Sequence, residues 1–205
     1  MIGGLALLVA AANIRQPFPD VAPLHHIPTL ALLVAAPFLL RRWPLSTGNV
    51  ACLAAFLALH TIGGRYTYSN LPYDVWIEAL TGQAVGFSRN NYDRFVHVAF
   101  GLLAVPPGFE IFRRHAGLGA GLALAGAVGC VIIFGAFYEM FEWVLTLVLA
   151  GPLADDYNGQ QGDIWDAQKD QLLALAGALV SAAFVRLRAY PTSSEAGSTG
   201  RPGAG

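Results

Sequence analysis

The chain has 205 residues, of which 55% are hydrophobic and only 12% charged, and its mean hydropathy is +0.52. Soluble domains carry about 25% charged residues, so this composition excludes an ordinary water-soluble globule. A net charge of −1 offers no basic excess for nucleic acid or acidic lipid; Cys52 and Cys130 lie inside apolar runs, where they read as small packing residues and not as a disulfide framework.

A helix needs about 20 mostly apolar residues to cross a hydrocarbon core about 30 Å thick. Six segments are candidates, roughly 1–14, 25–41, 48–64, 94–112, 118–148 and 170–187. The first offers only Ile2 to Ala12 before Asn13 and Arg15, with no basic residue ahead of it; a signal peptide is disfavoured, and the true start codon is left undecided. Between the third and fourth segments lies an outer loop, 66–92, carrying Tyr66, Tyr68, Tyr73 and Trp76, amphipathic aromatics suited to an interface. Within it Asp74 to Leu80 reads as a short helix lying on the membrane and a candidate lid. Pro106 and Pro107 predict a kink near the end of the fourth span.

The fifth segment is too long for one simple span, which predicts a helix that projects beyond the lipid or breaks near Glu139. Its Gly117, Gly121, Ala125 and Gly129 recur every four residues, a stripe expected to pack closely on a neighbouring helix. Residues 189–205 form a Gly-, Pro-, Ser- and Thr-rich tail expected to be disordered and without function. The fold expected is all-α: a polytopic transmembrane helical bundle of about six spans, one domain over 1–188.

Charge sets the expected orientation. With six spans, Arg41, Arg42, Arg113, Arg114, Arg186, Arg188 and Arg201 fall on one side, and Arg15, Arg65, Arg89, Arg94 and Lys169 on the other. Seven against five, with three tight pairs among the seven, leads to the expectation that both termini are cytoplasmic. The acids divide far less evenly: Glu110 and Glu195 fall on the cytoplasmic side, and the other eleven of thirteen toward the outer face. An outward-facing polar cavity follows.

Spacing says which groups can meet. Asp93 and His97 are i and i+4 on the fourth span, Glu139 and Glu142 are i and i+3 on the fifth, and Asp163, Asp166 and Asp170 form a stripe leading into the sixth. His60 lies about 18 Å along the third span, with Arg65 and Tyr66 at its mouth. Ionised carboxylates near hydrocarbon cost several kcal/mol unless paired, protonated or bound to a cation. Oxygen and imidazole ligands suit zinc, manganese, iron or magnesium, and helical bundles build internal metal sites from such pairs. The expected metal ligands are His97, Glu139, Glu142, Asp166 and Asp170, with His60 or Asp93 as general base and Arg65 binding an anionic headgroup. Each also has a structural reading: Asp163 or Asp166 as a helix cap, Glu139 and Glu142 as protonated interhelical glue, His60 as a hydrogen-bonded core histidine, and Asp93 with Arg94 as an interfacial ion pair. Asp74, Glu78, Asp155 and Asp156 read as solvated loop charges.

The segments His60-Thr61-Ile62-Gly63-Gly64-Arg65-Tyr66-Thr67-Tyr68, Asn91-Tyr92-Asp93-Arg94-Phe95-Val96-His97, Tyr138-Glu139-Met140-Phe141-Glu142-Trp143 and 162–170 resemble the motifs of the YjdF-type bacterial inner-membrane family, in order and spacing across roughly 25–188. That resemblance implies topology and no established activity. Asp93-Arg94-x-x-His97 with Gly101, then Glu139-x-x-Glu142, then Asp170 with Gly177, is more distantly similar to the VanZ-like pattern of small membrane proteins associated with glycopeptide resistance. Glu142 stands where that group tends to have Gln, and Ala174 where it tends to have Asn.

Three functions compete on these residues. The first is metal-dependent hydrolysis of a lipid or envelope precursor. The second is a cation- or proton-coupled transporter, and the third a non-catalytic envelope stress or structural protein whose cluster secures the fold. Membrane lipids are the expected surroundings in all three.

Overall fold

A computed structural model describes residues 1–84, 86, 88–149, 151 and 157–189. Those residues form an all-helical bundle: α1 (Ile2–Asn13), α2 (Ala22–Arg42), α3 (Thr47–Arg65), α4 (Tyr73–Thr81), α5 (Tyr92–Glu110), α6 (Ala120–Val148) and α7 (Asp166–Ala189). Five of them (α2, α3, α5 with its extension, α6 and α7) are long and apolar enough to cross a membrane. The sixth apolar helix, α1, has 12 residues and so reaches about 18 Å, short of the full hydrocarbon thickness. The expected surface helix is present as α4, whose Val75, Trp76 and Leu80 are exposed. Tail residues 190–205 and the loop acids Asp155 and Asp156 lie outside the described residues.

The middle of the bundle is α5, which packs on α3, α6 and α7, while α1 and α2 lean on α3. The core is built from small and branched side chains: Val105 of α5, Ala127 and Val131 of α6, and Ala174, Ala178 and Ala182 of α7. Between membrane helices no hydrophobic force draws apolar faces together, so close backbone approach must supply the attraction. Gly101 and Gly177 provide it. A Cβ on Gly101 would fall on the backbone of Ala174 and Ala178, and one on Gly177 on the backbone of Val98 and Leu102.

Both prolines lie inside the continuous α5 helix, near its end. Pro106 has no N–H to give the Leu102 carbonyl, which would leave a bare acceptor in apolar surroundings. The Ser181 hydroxyl of α7 donates to that carbonyl at 2.8 Å. Just beyond the Pro106–Pro107 pair the helix widens into a π segment, Ile111–His115. There Glu110 caps α3 from outside: its carboxylate accepts the Ser46 N–H at 2.9 Å and Asn49 Nδ2–H at 2.6 Å, with Arg114 at 3.2 Å. This end of the bundle, with Arg41, Arg42, Arg113 and Arg114, is the basic end.

For α6, one of the two alternatives holds and one expectation is corrected. It runs unbroken for 29 residues, about 43 Å, longer than a 30 Å core, so of projection and a break near Glu139 the helix takes the first. The Gly117, Gly121, Ala125 and Gly129 stripe packs on nothing among the described residues: Ala125 is exposed, and a Cβ at any of the three glycines would meet no atom within 4 Å. The face that packs is Ala123, Ala127, Val131 and Gly135. A four-residue period of small side chains identifies two adjacent stripes on this helix, and volume alone does not choose between them.

Candidate functional site

The end opposite the basic one gathers the polar groups. It begins at the close of α3, where Thr67 and Tyr68 take positive φ values of 48° and 55°. Such left-handed residues cost about 1–2 kcal/mol each for non-glycine side chains and persist only when the surroundings demand them. Here the turn is held by the Tyr68 N–H donating to the Gly63 carbonyl at 2.9 Å. The tyrosine ring then lies across Gly63, where a Cβ would stand 2.7 Å from it. Gly64 makes the matching space for His25 of α2.

That turn brings the Tyr68 hydroxyl onto His60. Burial pushes the Tyr68 pKa well above the usual phenol value, so its O–H is a donor and His60 Nδ1 the acceptor. His60 Nε2–H then donates to the His25 carbonyl at 2.8 Å. Both ring nitrogens of His60 are therefore engaged, which is the structural alternative to the general-base role the sequence suggested. Arg65 is engaged as well. Its guanidinium donates to the carbonyls of Ala12 at 2.6 Å, Ile14 at 3.0 Å and Arg15 at 3.3 Å, satisfying the C-terminus of α1, and lies over the Tyr66 ring. Those donors are turned to the end of α1, a structural role beside the headgroup role that the sequence suggested.

The acids divide into two groups. Asp163 and Asp166 belong to an ion-pair network with cations from the loop, α5 and α7. Arg89 meets Asp166 at 2.5 Å, and Arg94 and Lys169 each meet Asp163 at 2.6 Å. Asp163 also accepts the Trp165 N–H at 3.1 Å, an Asx turn just ahead of α7 that coexists with the ion pairing. The Lys169 hydrogen bond, helped by the Trp165 N–H and Arg94, holds Asp163 below the usual carboxylate range.

The second group has no such compensation. Asp93 and His97, one turn apart on α5, stand 3.6 Å from each other, and His97 Nε2 is also 3.6 Å from Glu139 Oε1 of α6. Asp170 of α7 completes a set in which ligand atoms of Asp93, His97 and Asp170 all lie within 4.8 Å of one another. Asp170 is only 2% exposed, and neither its Oδ1 nor Glu139 Oε1 has a hydrogen-bond partner among the described residues. Glu142, the next acid along α6, lies within electrostatic range of Asp93, Glu139 and Asp170. Among the described residues, no Arg or Lys comes within 4.0 Å of these four carboxyl groups; His97 is the one basic group that does.

The structure thus brings together His97, Glu139 and Asp170 of the expected ligands, with Glu142 close by, and puts Asp93 among them. Asp166 points instead into the arginine network. Sequence reading passed over His25 and His26, which are buried with no hydrogen-bond partner for any of the four ring nitrogens among the described residues, His25 being stacked on Tyr157 at 4.0 Å. It also passed over Arg89, whose loop position gives no hint of a partner 77 residues away. The signal for the histidines was present, since two adjacent imidazoles at the head of an apolar helix are costly there.

Comparison with known proteins agrees with this architecture. The chain is 33% identical over 167 residues to the inner membrane protein YjdF of Escherichia coli (strain K12), an alignment covering 81% of this chain and 75% of that protein. No solved structure matches it. A family profile described as "Predicted membrane protein (DUF2238)" matches residues 1–189, so the chain belongs to the DUF2238 family of multi-pass membrane proteins.

Proposed function

We propose that the polar end of the bundle holds a divalent cation (zinc, manganese, iron or magnesium) and uses it to hydrolyse a phosphate-bearing lipid or envelope precursor at the outer face of the membrane. The observation that carries this reading is the Asp93, His97 and Asp170 set within 4.8 Å, with buried oxygens of Asp170 and Glu139 lacking partners. Three carboxyl groups around one imidazole, with Glu142 close to them, need positive charge or protons, and among the described residues the nearby Arg89, Arg94 and Lys169 are already taken by Asp163 and Asp166. Mixed oxygen and imidazole donors suit a borderline or hard divalent ion.

A bound cation would supply Lewis acidity to a phosphoryl oxygen and ease deprotonation of water. Glu139, beside His97 and without a hydrogen-bond partner at Oε1, is the residue suited to take that proton. His60 and Tyr68 support the wall of the site, and Arg89 and Arg94 fix the start of α7 and with it Asp170. The excess of basic residues supports a cytoplasmic location for the basic end, where the C-terminal end of α7 also lies. Against transport stands the apolar character of what lies below the site: among the described residues Val105, Ala127, Val131, Ala174, Ala178 and Ala182 pack the core, and the cavity that runs toward the basic end has an almost wholly apolar wall.

Elemental analysis of detergent-purified protein tests the reading. Wild type should carry about one divalent ion per chain, lost in Asp93→Asn and Asp170→Asn and kept in Asp166→Asn, whose partner is Arg89. Folded protein that takes up none of zinc, manganese, iron or magnesium on reconstitution would sink it.

A further inference from the structure

One feature of the molecule lies below the ionisable cluster. A cavity of about 980 Å³ runs between α2 and α3 on one side and α5 and α6 on the other. Asp93, His97 and Tyr138 line its polar end, and Phe112 and His115 its basic end, with an almost wholly apolar wall between them. From His97 to Phe112 the wall descends about 22 Å along α5, more than the depth of one leaflet. We propose that this groove seats the hydrocarbon tails of a phosphate-bearing lipid whose headgroup lies against Asp93 and His97; the headgroup part rests on the cation reading above, the tail part does not.

The shape of the space selects the occupant. Ligand pockets run from about 300 to 1,000 Å³, so this one is at the upper end and suits a large flexible apolar molecule. Its gradient from ionisable to apolar matches an amphiphile. A soluble polar substrate would gain nothing from the lower two-thirds of the wall, and a tail without a headgroup would leave Asp93 and His97 facing hydrocarbon.

Native mass spectrometry of the full chain, purified in mild detergent and titrated with phosphatidylglycerol or with diacylglycerol of the same tails, tests the two parts separately. Wild type should retain about one phosphatidylglycerol per chain. Ala104→Trp, which fills the groove from α5, should cut occupancy by both lipids at least tenfold while metal content stays as in wild type. Ala54→Phe, a smaller intrusion from the α3 wall, serves if the first variant does not fold. Asp170→Asn should reduce phosphatidylglycerol to the diacylglycerol level and leave diacylglycerol unchanged. Wild-type protein without retained lipid, or folded groove variants that bind as wild type does, would overturn the proposal; phosphatidylglycerol binding indifferent to Asp170→Asn would overturn only its headgroup part.

Discussion

Arg89→Met is the sharpest probe of how charge is apportioned at the polar end. The arginine donates to Asp166 at 2.5 Å and to the Gln160 carbonyl at 2.6 Å. The two side chains are only 13% and 6% exposed, so water screens the pair little. Removing one partner of a buried pair costs about 3–5 kcal/mol, because the remaining charge is left uncompensated. Arg94 stands 3.7 Å from the same Asp166 oxygen and takes part of that burden, which sets the expectation at the low end, about 3 kcal/mol. In an Asp166→Asn background the carbonyl hydrogen bonds and a longer contact with Asp163 at 3.8 Å remain, and the same substitution should cost about 1 kcal/mol. The coupling of about 2 kcal/mol is measured by equilibrium unfolding of the four chains in mixed micelles. Equal costs in both backgrounds would show that Asp166 is not held as a charge by Arg89, and would return it to the set of cation ligands.

Two further outcomes separate structural from chemical roles. Gly101→Ala should destabilise by about 1–3 kcal/mol, since its Cβ meets backbone that cannot swing aside, whereas Gly129→Ala, pointing into open space, should leave the melting temperature within error; equal shifts would refute the close crossing of α5 and α7. Arg65→Gln should speed amide exchange through α1 and leave bound metal untouched, and a loss of metal in that variant would put Arg65 back in the site.

Much of the helical frame was readable from composition because lipid forces every buried backbone group into a helix, and apolar runs of fixed minimum length then mark the spans. The same logic located Asp93 beside His97, since one helical turn brings i and i+4 together whatever the fold. What spacing within a helix cannot supply is the partner across helices. Arg65 reads as a free cation at a helix mouth until α1 is seen to end beneath it, and Asp166 reads as a ligand until Arg89 arrives from a loop. The small-residue stripe failed for a related reason. Gly121 and Gly129 satisfy the local pattern as well as Ala123 and Ala127 do, and only the position of α5 and α7 decides which face is covered.

The bond from Ser181 to the carbonyl that Pro106 leaves bare has a bearing on how the chain assembles in the bilayer. Residue 102 is made and inserted well before residue 181, so a nascent α5 enters lipid carrying an acceptor whose donor is still unsynthesised. Membrane helices insert individually and associate afterwards, which makes α7 the keystone: its arrival simultaneously quenches that acceptor, closes the glycine crossing and delivers Asp170 beside His97. Completion of the bundle and completion of its polar cluster are thus one event, and a ribosome-bound chain lacking the last helix would have neither the close glycine crossing nor Asp170 beside His97.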